Sequence, residues 1–171
     1  MSKNICEEIL IAAGRGKWSQ AGVPRSGWQC VNIEDLGEPI VTCDMCETQI
    51  IRYVHHMKHP YYPDMLGVGC VCAGHMEGDL AAAKGRETSM KSRASKRDHW
   101  LSRKWLVSQN GNDYIRAYGY RIVVYERDDE WVACVNDDTN SFTKYISNNL
   151  TSDEAKLAAF DYIMQLKADN T

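Results

Sequence analysis

The sequence predicts an α+β protein made of a metal-binding module, a basic connecting helix and a C-terminal β-β-β-α module. Three observations carry that expectation. Four of the seven cysteines stand as two close pairs, Cys43/Cys46 and Cys70/Cys72. Residues 84 to 104 hold eight Lys and Arg against only Glu87 and Asp98. Beyond Gly111 the chain alternates β-branched and aromatic residues before turning to helical spacing.

The elements follow in order. Residues 1–40 read as an irregular segment with one short helix, because Ile5, Ile9, Ala12 and Ala13 make a rough helical stripe over 4–13. From Gly14 to Pro39 the chain is rich in Gly, Ser and Pro, and Trp18 and Trp28 are its expected anchors on a core. The metal-binding module spans 41–83. Within it, residues 48–57 alternate as a strand, with Ile51, Tyr53, His55 and Met57 on one face and Arg52, Val54, His56 and Lys58 on the other. Residues 59–64 turn, 66–71 return as a second strand, and 73–83 suit a helix.

A basic helix over 84–108 comes next. Arg86, Arg93, Arg97 and Lys104 form one stripe at helical spacing, with Met90, Ala94, Leu101 and Trp105 as an apolar stripe beside it. Residues 109–171 then give strands over 118–126, 130–135 and 142–146, with turns at Asp128-Asp129 and at 136–138. Thr151-Ser152-Asp153-Glu154 has the form of a capping box, the Thr151 side chain meeting the backbone of Glu154 and the Glu154 side chain reaching back. Ala155, Ala158, Ala159, Tyr162, Ile163 and Leu166 supply the apolar face of the helix that follows.

Composition narrows the function classes. A chain of 171 residues, 44% hydrophobic and 25% charged, suits one compact domain or two small modules and excludes wholesale disorder. A net charge of −3 selects no partner by itself. No apolar run approaches the ~18 residues of a membrane span. Glu7 and Glu8 interrupt any signal-peptide apolar core, so the expected location is the cytoplasm, where thiols stay reduced.

Reduced cysteines at this spacing point to zinc. Two thiols separated by two residues can face one ion across a tight turn, and a pair returned by a hairpin can complete a tetrahedron. The expected ligands are Cys43, Cys46, Cys70 and Cys72. His75 is an alternate ligand for one member of the second pair, and His59 a weaker one. Four protein ligands leave no position for water, so the zinc is expected to be structural. Cys134 lies in an apolar run and is expected in the core, while Cys6 and Cys30 carry no assignment.

The basic helix suggests contact with nucleic acid or a nucleoprotein complex. Arg86, Arg93, Arg97 and Lys104 would neutralise phosphates, and Trp100, with Trp105, would stack on exposed bases. The alternative is that the basic face pairs with acids of the same chain, and that the partner is a protein. The acidic C-terminal module would then act as an inhibitor or adaptor surface. A third reading is a metal-dependent nuclease built on His55 and His56, with His75, Glu77 and Asp79 as further ligands. Phosphate-binding, nucleophile-elbow and dinucleotide motifs are all absent. His75-Met76-Glu77 does not fit a zinc deaminase, whose paired cysteines follow that element. The sequence favours a non-enzymatic binder.

Three resemblances add to this reading. A cysteine knuckle, a hairpin and a helix starting at the second cysteine pair resemble a treble-clef or zinc-ribbon module over residues 41–80. A helix, three strands and a helix, the last carrying Glu154-Ala155-Lys156, resemble the order of double-stranded-RNA-binding domains. Ser152, Asp153 and Glu154 stand where that family has a lysine cluster, so the resemblance implies topology and not duplex binding. Gly69-Cys70-Val71-Cys72-Ala73, residues 100–105 and residues 154–160 resemble small uncharacterised zinc-binding proteins of bacteria and phages. That last resemblance implies a binder or inhibitor and carries no established activity.

Overall fold

The computed structural model describes residues 14–170. The helix expected over 4–13, and Cys6, lie outside the described residues. The protein is a mixed α+β chain, as its sequence predicts, and divides between Ser92 and Arg93 into two compact units. Among the described residues no helix is long and apolar enough to cross a membrane.

Unit 1 is built on a three-stranded antiparallel sheet. Its strands are β1 (Gln29–Asp35), β4 (Tyr53–His59) and β5 (Tyr62–Val68), in the order β1-β4-β5. Two short strands, β2 (Val41–Thr42) and β3 (Ile50–Ile51), make a separate ribbon that carries the cysteine knuckle between them. The expected strand over 48–57 is therefore two pieces, broken at Arg52, which ties back to Asp35 through a two-bonded guanidinium–carboxylate pair at 2.7 and 2.9 Å. β4 and β5 form a tight hairpin in which His59 pairs with Tyr62. β1 falls where the sequence predicts irregular chain. Its side chains are mostly exposed and its register shifts between Cys30 and Asn32, so it carries no alternation to read.

Trp18 and Trp28 are buried, as expected of anchors, among Met57, Val68, Ala73 and Met76. Trp28 Nε1 donates to the carbonyl of Pro24 at 2.8 Å, which satisfies the one polar atom that ring carries inward.

The helix expected over 73–83 is two helices, α1 (Cys70–Glu77) and α2 (Leu80–Asp98). Gly78 ends α1 in the left-handed region at φ 79°, a conformation glycine takes without steric cost. Asp79 restarts the chain as a cap, its Oδ1 accepting from the amide of Ala82 at 2.8 Å. Gly74 permits the tight corner, since a Cβ there would stand 2.6 Å from the Cα of Leu80.

Unit 2 is a five-stranded antiparallel sheet covered on one face by a helix. Its strands are β6 (Leu106–Val107), β7 (Asp113–Ala117), β8 (Tyr120–Arg127), β9 (Glu130–Asp137) and β10 (Thr143–Asn149), in spatial order β10-β9-β8-β7-β6. The three expected strands are β8 to β10; β6 and β7 extend the sheet beyond them. Asp128 and Asp129, at φ 54° and 64°, make the two-residue hairpin turn between β8 and β9. Helix α3 (Ser152–Asp169) packs on β8, β9 and β10. Its N-cap is as expected, Thr151 Oγ1 accepting from the Glu154 amide at 3.1 Å. The Glu154 carboxylate reaches back to the amide of Leu150, at 2.7 Å, one residue beyond the position a capping box specifies.

The basic helix is shorter than its sequence suggests. α2 stops at Asp98, and the chain turns through 99–105. Trp100 is fully buried against Phe160 and Tyr118, with Nε1 donating to the carbonyl of Lys156 at 2.7 Å. The chain leaves the helix before that indole, so Lys104 is not on the stripe of Arg86, Arg93 and Arg97, and the apolar stripe through Leu101 and Trp105 is broken at the same point.

Candidate metal centre

The centre grows from the turn between β2 and β3. Cys43 and Cys46 bracket a knuckle closed by the Glu47 amide donating to the Cys43 carbonyl at 2.9 Å and by the Cys43 amide donating to the Gln49 carbonyl at 2.8 Å. Glu47 adopts φ 54°, in the left-handed region. That turn brings the amides of Thr48 and Gln49 back onto Cys46 Sγ, and the amide of Cys46 onto Cys43 Sγ. The Gly69 amide, at the start of α1, adds a 3.5 Å contact to Cys43 Sγ. Backbone donors aimed at sulfur favour thiolates.

Two further contacts seat the knuckle on its surroundings. Asp44 Oδ2 accepts from the Gly67 amide at 2.7 Å, fixing the knuckle to β5. The Lys17 amide donates to the Met45 carbonyl at 2.8 Å, and the Lys17 ammonium pairs with Glu47 at 2.6 Å. Gly16 sits so close that a Cβ on it would lie 2.7 Å from the Cys46 carbonyl carbon.

Cys72 completes the group from the first turn of α1. The sulfurs of Cys43, Cys46 and Cys72 all lie within 4.8 Å of one another, and all three residues are buried. A tetrahedral zinc with thiolates at roughly 2.3 Å needs sulfurs ~3.8 Å apart, so the spacing fits a metal. The three are free thiols, with no disulfide between them. They can hold one metal ion.

The electrostatics of the trio point the same way. Hydrogen bonds from the Cys43 and Cys72 thiols, against the effect of burial, hold Cys46 down to a pKa of about 2. Cys72 is pushed far up by its hydrogen bonds to the Cys43 and Cys46 sulfurs and by burial, and Cys43 is raised chiefly by its bond to Cys46. The three sulfurs thus share protons through hydrogen bonds, with Cys46 the most acidic of them. A divalent cation removes the reason for the other two thiols to keep their protons.

The structure does not bring Cys70 into this group. On an α-helix two positions lie about 200° apart around the axis, so Cys70 and Cys72 leave α1 on opposite sides. Cys70 instead lies near the Lys91 ammonium. His75, the alternate, is exposed on α1 and also outside the group, and His59 is buried against the Trp28 ring with Nδ1 accepting from the Tyr61 amide at 3.1 Å. Among the described residues no fourth His, Cys, Asp or Glu joins the three within the same distance.

The other expected site residues are dispersed. Arg86 pairs with Glu77, and Arg97 makes a two-bonded pair with Asp161 whose shortest contact is 2.9 Å. Arg93 and Lys104 make no ion pair among the described residues. Trp100 cannot stack on a base, because it has no exposed surface. Trp105 meets it edge-on in the same core.

The nuclease set does not assemble either. His55 is fully buried with Nε2 3.7 Å from Glu87 Oε2, whereas His56 is on the opposite face of β4, paired with Glu34 at 3.0 Å. Glu77 is taken by Arg86 and Asp79 caps α2. Cys134, expected in the core, is half-buried on the sheet face away from α3, its thiol donating to Asn136 Oδ1 at 3.1 Å. Family models, curated proteins and solved structures give no match to this chain, so the site stands on its own geometry.

Proposed function

We propose that this chain is a non-catalytic, zinc-stapled binding protein that contacts nucleic acid. The observation that carries the reading is the convergence of three buried thiols on a backbone knuckle, a ligand set whose softness suits zinc. Knuckle, β4-β5 hairpin and α1 follow one another as in a treble clef, with the ligands at the knuckle and the first helical turn, and this supports a structural role for the metal. The small zinc-binding proteins of bacteria and phages that the sequence resembles fit the same role.

Arg93 and Lys104 support the choice of nucleic acid, since their charge is uncommitted while Arg86 and Arg97 are held by Glu77 and Asp161. Two cations make a weaker electrostatic footprint than the four of the full stripe. Titrating metal-loaded protein into short labelled DNA and RNA across a salt series tests the reading. Arg93→Glu with Lys104→Glu should lower affinity and flatten the salt slope by about one unit for each phosphate no longer neutralised. Unchanged binding in that variant rejects these residues as the binding surface. Absence of binding to any nucleic acid at low salt rejects nucleic acid as the partner.

A further inference from the structure

The register of unit 2 sorts its side chains onto two faces, and α3 covers only one of them. Residues directly opposite each other in an antiparallel ladder project to the same side. Ile122, Val124, Ala133 and Val135 therefore face α3 together and form the core with Ala155, Ala159, Phe160 and Ile163. On the other side, Leu106, Tyr114, Val123, Cys134 and Tyr145 stand in one continuous row across all five strands. Tyr145 is 59% exposed and Leu106 is 45% exposed. Tyr125 adds a third ring one position along β8.

The next row along the strands reads Arg116, Arg121, Asn136 and Thr143. Both arginines are exposed, and neither makes an ion pair among the described residues. The Arg121 guanidinium lies 5.9 Å from the centre of the Tyr114 ring, which keeps it against the sheet. Asn136 Nδ2 donates to Thr143 Oγ1 at 2.8 Å, and Asn136 Oδ1 accepts from Cys134, so the neutral groups satisfy one another.

No carboxylate stands in either row. Asp113 belongs to the α3 side, where it pairs with Lys156 at 2.7 Å. Asp128 and Asp129 are in the hairpin turn, Asp137 is bonded to Ser141 in its own turn, and Glu130 stands opposite Arg127 at the end of the ladder. Residues 109–171 hold 11 Asp and Glu against 6 Lys and Arg, yet these two rows are cationic and aromatic.

We propose that this face binds single-stranded nucleic acid. Tyr145, exposed, and Tyr114 and Tyr125, half-buried, offer stacking platforms at the β10 side and centre of the face, and unpaired guanidiniums beside them neutralise the backbone of the same strand. A duplex hides its base faces and has no use for the rings, so the tyrosine row favours a single strand. The inference rests on the nucleic-acid reading above but uses none of the residues of α2.

The test is to titrate full-length, metal-loaded protein into labelled oligothymidine, an oligouridine and a 16-base-pair duplex at one fixed salt concentration. Variants are Arg116→Ala with Arg121→Ala, Tyr145→Leu, which keeps apolar bulk, and Arg93→Glu with Lys104→Glu. The expected result is a fall of about tenfold in single-strand affinity on losing the Tyr145 ring, and a larger fall on losing both arginines. The duplex should be unaffected by Tyr145→Leu. Single-strand binding by the native protein that the sheet variants leave unchanged overturns this proposal and leaves the nucleic-acid reading standing. Duplex preference that depends on the sheet residues overturns the single-strand assignment. No binding to any of the three probes overturns both, and leaves the face to a protein partner. Matching thermal midpoints of variants and native protein confirm that each loss is at the surface.

Discussion

Unit 2 closes its interior with a helix laid on a sheet, and Trp100, Phe160, Ile122, Val124 and Ile163 fill the space between them. Unit 1 has two tryptophans and three methionines in its interior, but Cys43, Cys46 and Cys72 sit in that same cluster. Apolar packing is a property of the chain alone. Three buried sulfurs within 4.8 Å of one another cannot all ionise without a cation beside them, so their packing depends on protonation or on a bound metal. The core of unit 2 is apolar packing alone, while unit 1 has within its core three thiols that can hold a metal ion.

Metal removal should separate the two units most sharply. Chelation, or Cys43→Ser, Cys46→Ser or Cys72→Ser, should abolish one-per-chain zinc binding and unfold unit 1. The apparent binding free energy of a structural zinc is ~10–16 kcal/mol near neutral pH, more than a small unit's whole stability. Unit 2 should keep its amide resonances. Cys70→Ser should leave one zinc per chain, because that thiol stands outside the three-sulfur cluster. Elemental analysis with a two-dimensional amide spectrum checks all four variants, and loss of zinc from Cys70→Ser would return that residue to the ligand set.

Phe160→Ala should weaken unit 2 and spare unit 1. Phe160 is fully buried and touches the rings of both Trp100 and Tyr118. Its truncation should cost unit 2 about 3–5 kcal/mol. Zinc content should stay at one per chain and the knuckle resonances should not move. A shared cooperative transition, in which Phe160→Ala also released the metal, would show that the units do not fold separately.

The same contrast decides what is readable in the sequence. The knuckle is legible because ligand chemistry fixes a two-residue spacing in any fold, and Thr151 with α3 is legible because capping and helical period are local rules. The place of Cys70 is not, because whether a C-x-C pair converges depends on where the helix begins. Here α1 begins at Cys70 itself, which sends Cys70 and Cys72 to opposite sides. β1 is hidden by its exposed, polar side chains, and β6 and β7 by their brevity. Trp100 has the same helical spacing whether it is buried or exposed. Its burial rests on distant partners, the Lys156 carbonyl and the Phe160 and Tyr118 rings, and no window of neighbouring residues contains them.

The smallest expected effect lies at the first turn of α3. Thr151 accepts from the Glu154 amide in the first turn of α3, and Asp153 and Glu154 place negative charge at the same positive helix end. Thr151→Ala should cost unit 2 about 1 kcal/mol, and Thr151→Ser almost nothing, because serine keeps the accepting oxygen. The Glu154 carboxylate still holds the Leu150 amide at 2.7 Å in either variant, so the helix should fray and not unfold. Amide exchange read residue by residue should show loss of protection confined to the first turn of α3, with unit 1 unchanged. Protection lost along the whole helix would mean that α3 is held by its cap more than by Phe160 and Ile163. The difference between the units would then lie in their ends as well as in their cores.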